Sequence, residues 1–348
     1  MRWILHAAAL VFLVVGNALG QSTNGRGGKL RMIAVDVEGG QATLFVTPAG
    51  QSLLIDTGWP GNDDRDANRI VAAARQAGLA KIDYVLISHY HIDHAGGIGQ
   101  LVTKIPVGAV IDHGPTRDPD PAAQRIYATY EKTVATAKLK RIAVKPGDVL
   151  PVVGMKATVV SSDGMLLGEP LEGPGVENPF CKESEIRPED VTENGRWIGV
   201  EIVFGKLRIL ELSGLAWDKE RDLMCPLNKL GTVDLLMVSH PGKNPNLSPA
   251  LVKAVKTRVA VMDNGAKKDG SVSILETLAN APGLETIWQL HFSEDGGEDL
   301  NTADDYILNI DGADDGHALE ITGSGDGSFD IKNSRTGVTK HYAARGLR

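Results

Sequence analysis

The chain has 348 residues, with 36 Lys and Arg against 44 Asp and Glu, 9 His and 2 Cys; it is 42% hydrophobic and 23% charged. These values exclude a disordered chain and a disulfide-stapled mini-domain, and the length suits one large domain with a small addition. A formal net charge of −8 without a basic run excludes tight unaided binding to a polyanion, because phosphate affinity rests on clustered Lys and Arg. Strong nucleic-acid affinity is therefore not expected, although a metal-bridged phosphodiester substrate stays compatible.

Residues 1–20 read as a secretory signal peptide: Arg2 precedes the apolar and small residues Ala7 to Val15, and Ala18-Leu19-Gly20 closes the segment. No later stretch reaches eighteen apolar residues, so the mature form is expected to be secreted or periplasmic after cleavage near Gly20, with no stable membrane span. In that oxidising setting Cys181 and Cys225 read either as one disulfide or as two buried thiols.

After a Gly-rich junction from Asn24 to Gly28, strands are predicted at Leu30–Val37, Ala42–Thr47 and Ser52–Ile55, separated by Glu38-Gly39-Gly40 and Pro48-Ala49-Gly50. The helical spacing of Ile70, Val71 and Ala74 predicts a helix over Asp66–Ala77, followed by a strand at Tyr84–Ser88. A helix at Ile98–Val102, a strand at Ala109–Ile111, a helix at Ala122–Lys138 and strands at Val149–Val153 and Ala157–Ser161 follow. The segment from Gly164 to Asn194 is rich in Gly, Pro and Glu without a sustained period, and reads as a long insertion loop held in part by Cys181 and close to the site. Strands at Gly199–Phe204, Leu207–Leu212, Val233–Ser239, Val259–Asp263 and Thr286–His291 alternate with helices at Asp218–Met224, Pro249–Val255 and Ser271–Ala279. From about Gly296 the composition shifts to Asp and Gly, with short strands at Ala318–Thr322, Ser328–Lys332 and Thr339–Tyr342; this part reads as a small β appendage with solvated acidic turns.

The strongest chemical signal is Ser88-His89-Tyr90-His91-Ile92-Asp93-His94-Ala95-Gly96-Gly97, a His-x-His-x-Asp-His motif where a strand gives way to a helix. In an extended segment side chains two apart project to the same side, so His89 and His91 can grip one metal while Asp93 and His94, at the turn, face a second. Imidazole and carboxylate suit zinc. The two glycines after His94 allow the helix to approach the strand closely.

At these residues the chain resembles the metallo-β-lactamase superfamily of metallo-hydrolases, over nearly all of the mature sequence to about residue 295. Leu53-Leu54-Ile55-Asp56-Thr57-Gly58 is similar to the family's early strand and turn, where the Asp orients the metal loop. Ile33-Ala34-Val35-Asp36-Val37-Glu38-Gly39-Gly40-Gln41 and Val233-Asp234-Leu235-Leu236-Met237-Val238-Ser239-His240 resemble the ComEC-like branch, associated with competence proteins. The resemblance implies an α/β protein, a four-layer αββα sandwich, with a signal peptide at 1–20, a hydrolase domain at 28–295 and the appendage at 296–348. It implies one or two zinc ions held by His89, His91, Asp93, His94 and His240, with Asp36 and Asp56 supporting them from behind.

Two departures stand out. The family's bridging Asp is absent from Leu212-Ser213-Gly214-Leu215, and its His-His-Gly turn reads His240-Pro241-Gly242. Glu211 and Asp218 flank the missing bridge and are candidates to replace it. His113, after a strand, is either a further metal ligand or an ordinary loop histidine; Asn264 is either a substrate-polarising amide or a turn residue beside Gly265. The function implied is an exported zinc-dependent hydrolase using a metal-bound hydroxide on a small-molecule or phosphodiester substrate, with esters, lactones and lactams as alternatives. Asp93 is then a ligand of a second ion or the base that orients the attacking water. The competing expectation, to which Gly214 and Pro241 point, is a degenerate non-catalytic relative that binds a ligand or partner.

Overall fold

The computed structural model describes residues 28–173, 175–238, 246–310 and 314–346. The expected leader, His240 and Pro241 lie outside the described residues. Among the described residues no helix is long and apolar enough to cross a membrane.

Two large sheets face one another. In spatial order the nine-stranded sheet runs Thr339–Tyr342, Phe329–Asn333, Leu319–Gly323, Leu30–Ala34, Thr43–Val46, Ser52–Ile55, Ile82–Leu86, Val107–Asp112, Lys140–Ala143. The eight-stranded sheet runs Ile307–Asn309, Thr286–His291, Val259–Met262, Leu235–Val238, Leu207–Ser213, Gly199–Phe204, Lys156–Ser162, Met165–Leu166. Strand alternation sorts the apolar residues into three cores. Met32, Phe45, Leu53, Ile202, Ile209 and Trp288 fill the space between the sheets. Ile33, Leu44 and Leu54 turn outward to meet Ile70, Leu101 and Tyr130 of the helices Arg65–Gln76, Ile98–Lys104 and Pro121–Thr136. On the far side Leu210, Leu212 and Leu236 meet Leu223, Leu251 and Leu275 of the helices Trp217–Met224, Pro249–Val255 and Val272–Ala279. The result is the expected four-layer αββα sandwich. Each fully buried Leu or Phe contributes about 1.5–3 kcal/mol of transfer free energy.

The first sheet is parallel from Ser52–Ile55 through Lys140–Ala143, and the second from Leu207–Ser213 through Ile307–Asn309. In parallel α/β sheets the loops at the carboxyl ends of strands form the site, and the turns Asp56–Gly58, Ser88–His94 and Asp263–Lys268 all leave such ends.

The C-terminal segment departs from the sequence-based expectation of a separate appendage. Ile307–Asn309 pairs in parallel with Thr286–His291, and Leu319–Gly323 pairs antiparallel with Leu30–Ala34, so residues after 296 complete both sheets. Leu319, Ile321, Phe329, Ile331 and Tyr342 belong to the inter-sheet core. Val149–Val153 also differs: only Val149 makes a β-bridge, to Thr158. Conversely Lys140–Ala143 is a strand that the sequence hides, because edge strands carry charges such as Lys140 and Arg141 that break the apolar signal. The cysteines do pair: Cys181 and Cys225 form a disulfide with Cα atoms 5.8 Å apart.

A chain truncated after residue 295 is expected to lose its cooperative thermal melt and to aggregate, since it strips the inter-sheet core and bares the edge at Leu30–Ala34. A soluble truncated chain with a sharp melt would restore the appendage interpretation.

Candidate metal centre

The site is built on Asp56. The strand Ser52–Ile55 ends there, and Asp56 takes φ +62°, a left-handed conformation that Asp adopts more readily than most residues. Its backbone N–H donates to Leu86 O at 2.8 Å, which ties the turn to the neighbouring strand. The carboxylate accepts from Ser88 N–H at 2.7 Å and Ser88 Oγ at 2.5 Å, and lies 2.8 Å from His94 Nδ1. Ser88 Oγ lies 3.1 Å from His89 Nδ1. Proton bookkeeping follows: the serine hydroxyl proton goes to Asp56, so His89 Nδ1–H donates to Ser88 Oγ, and His94 Nδ1–H donates to Asp56. Each Nε2 is left as a lone-pair donor, the tautomer a metal requires.

His91 has the extended φ −90° and ψ 157° at the start of the short helix Ile92–Ala95. The rings of His89 and His91 lie 4.4 Å apart between centroids, as do those of His89 and His94, and His94 Nε2 is 3.5 Å from Asp93 Oδ2. The structure thus brings His89, His91, Asp93 and His94 together, and three imidazoles with one carboxylate suit a divalent transition metal. Close approach of the helix needs glycine: a Cβ on Gly97 would overlap Thr57 O, and one on Gly40 would overlap Asp93 O.

The segment from Gly164 to Asn194 meets this centre. It is anchored by the disulfide and by Asn178 Nδ2 donating to Met224 O and Ala250 O. At its end the Glu193 carboxylate accepts from Tyr90 N–H at 2.9 Å and from Thr116 Oγ1, while its backbone N–H donates to Asp118 Oδ2 at 2.7 Å. Burial works to raise the Glu193 carboxyl, but hydrogen bonds and charge from His113, with the Thr116 and Tyr90 donors, hold it below the usual glutamate range. Just beyond, Trp197 stacks on His89 at 4.1 Å, and Ile198 N–H donates to Ser88 O. Glu193, Trp197 and Ser88 were not singled out by sequence; only the placement of the insertion near the site hinted at the first two.

Other candidates lie elsewhere. His113 is tied through Nε2 to Glu193 Oε2 at 3.0 Å and packs on Tyr90, which corrects its assignment as a ligand: it braces the histidine loop from behind. Asn264 donates to His291 O at 2.7 Å and Gly265 O at 3.2 Å, so its amide is spent on the backbone and the turn alternative holds. Asp36 lies 2.8 Å from His291 Nε2 and 3.2 Å from Arg69, and also accepts from Glu38 N–H. Asp36, Glu38 and His291 offer ligand atoms within 4.8 Å of one another, but Arg69 already supplies a cation there. Burial, with the Asp36 charge and an Asp314 hydrogen bond, pushes Glu38 up to about 7. Asp218 accepts from Asp190 N–H at 3.3 Å. Glu211 is fully buried between the sheets; burial and the Asp263 charge push it well above the usual range, against a hydrogen bond from Gln41. Asp263 is pushed up to about 8 by burial, with Asp36 and Asp269 adding to the effect and the Thr43 hydrogen bond opposing it.

Comparison with known proteins agrees with this geometry. Residues 35–181, under half of the chain, match the family model described as the Metallo-beta-lactamase superfamily. The chain is similar to a coenzyme F420-H(2) oxidase of Methanothermobacter marburgensis, 27% identical over 109 residues, or 31% of this chain and 25% of that protein. It is also similar to a UPF0173 metal-dependent hydrolase of Herpetosiphon aurantiacus, 32% identical over 71 residues, or 20% of this chain and 27% of that protein. The chain therefore spans about a quarter of the length of these curated relatives. Among solved structures, a CmlA beta-hydroxylase variant aligns with a TM-score of 0.45 and 14% identity, covering 76% of this chain and 52% of that one.

Replacing the tautomer-setting carboxylate, Asp56→Asn, is expected to weaken metal binding 10–100-fold, read by competition with a chromophoric chelator; unchanged affinity would remove Asp56 from this role. For Asp263 the folded value exceeds the ordinary one. Its contribution to stability is thus complete below about pH 4 and is lost as pH rises through about 8. In chelated protein the stability advantage of Asp263→Asn over wild type should therefore widen from pH 5 to pH 8 and level off above, by urea denaturation; a pH-independent difference would contradict it.

Proposed function

We propose that this protein is an exported, zinc-dependent hydrolase whose metal is held by His89, His91 and His94 with Asp93 beside them. The observation that carries this reading is the Asp56 network, which fixes the ring orientation and tautomer of both His89 and His94. Chemistry supplied by a divalent cation at such a site is a lowered water pKa and polarisation of the bond under attack. The chain's own residues do the rest. Asp93, buried at the edge of the cluster, can accept a proton from a water and orient it. Trp197 and Tyr90 keep bulk water from the rear of the cluster, being buried against His89 and His113.

The resemblance to the ComEC-like branch favours a phosphodiester substrate, with a small ester, lactone or lactam as the alternative. The Cys181–Cys225 disulfide supports export, since such bonds persist in oxidising compartments. A second reading, a non-catalytic ligand-binding relative, is favoured by the absence of a carboxylate along Leu212-Ser213-Gly214-Leu215.

Protein purified without chelator should hydrolyse bis(p-nitrophenyl) phosphate or a chromogenic lactone or lactam. Chelation should abolish the activity, and zinc should restore it. No hydrolysis across this panel by zinc-loaded protein would put the ligand-binding reading first.

A further inference from the structure

We propose that the Lys268 ammonium is a resident cation of this centre, standing where a second metal ion would approach Asp93 and limiting the histidine cluster to one ion. The proposal rests on the hydrolase reading for the first ion.

Lys268 is delivered by a tight turn. Asn264 is locked to the backbone of His291, Gly265 N–H donates to Lys268 O at 2.9 Å, and the two residues form a β-bridge. The stem then runs over Gly39, where a Cβ would stand 2.9 Å from Lys268 Cβ; glycine at φ +74° leaves the passage open. An ammonium has three N–H donors. Lys268 Nζ donates to Gly39 O and to Asp93 Oδ2, and lies 3.1 Å from Asp269 Oδ2. The Trp59 indole covers a further side, its centroid 5.1 Å from Nζ, within cation–π range. The Asp93 and Asp269 side chains are only 6% and 3% exposed.

These contacts form a cage made for a monovalent cation on a chain tether. Two buried carboxylates balance its charge, a carbonyl takes its third hydrogen, and a ring closes the side. A dication binding Asp93 would have to expel the ammonium and break all of these contacts. The turn Ser213-Gly214-Leu215, where the family's bridging Asp is expected, offers it no carboxylate in return. Away from Lys268, Ser88 approaches His89 and Asp56 approaches His94, each at Nδ1.

The test is metal stoichiometry, not activity. Full-length mature protein is saturated with zinc, gel-filtered and analysed for metal, beside Lys268→Arg and Lys268→Ala; cobalt titration followed by visible absorption gives an independent end point. Expected are one ion in wild type, one in Lys268→Arg, and two in Lys268→Ala. Two ions in wild type, or one in a folded Lys268→Ala, overturns the proposal. Should Lys268→Ala lose its cooperative melt, Lys268→Gln takes its place with the same two outcomes. No metal in wild type overturns the hydrolase reading itself, which separates that failure from this one.

Discussion

The Asp56 carboxylate is the constraint on which the centre depends. It sits in a left-handed turn, fully buried, and its two oxygens face three donors from the next loop of the same sheet: Ser88 N–H, Ser88 Oγ and His94 Nδ1. A buried carboxylate without donors would be costly, and with them it becomes a rigid acceptor. The same bonds that make it tolerable aim two imidazoles. The turn from the strand Ile82–Leu86 into the short helix Ile92–Ala95 places His89 and His94 near each other; the hydrogen-bond chain decides which nitrogen each ring presents.

Two separate stretches, Glu193–Trp197 and the turn at Lys268, then close around this core. The histidine loop is held from behind by Glu193, which grips Tyr90 N–H and His113 together. Trp197, two strands' connection away in sequence, lies flat on His89. Lys268 reaches Asp93 from the opposite sheet. The glycines at 40 and 97 let backbone approach backbone where any side chain would collide. The site therefore depends on the sandwich being complete, including the C-terminal strands that finish both sheets.

Much of this was legible in the sequence, for physical reasons that also mark the limits. Short apolar stretches bounded by turn residues mark strands at Ser52–Ile55, Gly199–Phe204 and Thr286–His291 whose bounds match, because both faces are largely buried and leave little slack. The His-x-His-x-Asp-His spacing located the cluster of imidazoles and carboxylate because it is local. Glu193, Trp197 and Lys268 were hidden because nothing near them in the chain distinguishes a buried partner from a surface residue; their roles arise from contacts across more than a hundred positions. His113 stays open in the sequence for the opposite reason: its strand end does meet the loop, and only the structure shows it paired with Glu193 and packed on Tyr90. Strand pairing between Leu30–Ala34 and Leu319–Gly323 joins the two ends of the chain, which no local pattern encodes.

The distribution of buried charge ties metal binding to folding. Asp36, Asp56, Glu193, Glu211 and Asp263 are all buried, and burial acts against the charged form in Glu211 and Asp263, whose carboxyls are pushed upward. The nearby fixed cations at 69 and 268 balance only part of that charge. A dication at the imidazole cluster would add positive charge near these buried acids and offset part of the cost of burying them. Any ion that binds the folded chain alone stabilises it by RT ln(1 + [L]/Kd), about 2.7 kcal/mol at a hundred times Kd. The buried acids are costly to an empty scaffold, so a cation that binds only the folded chain would offset part of that cost.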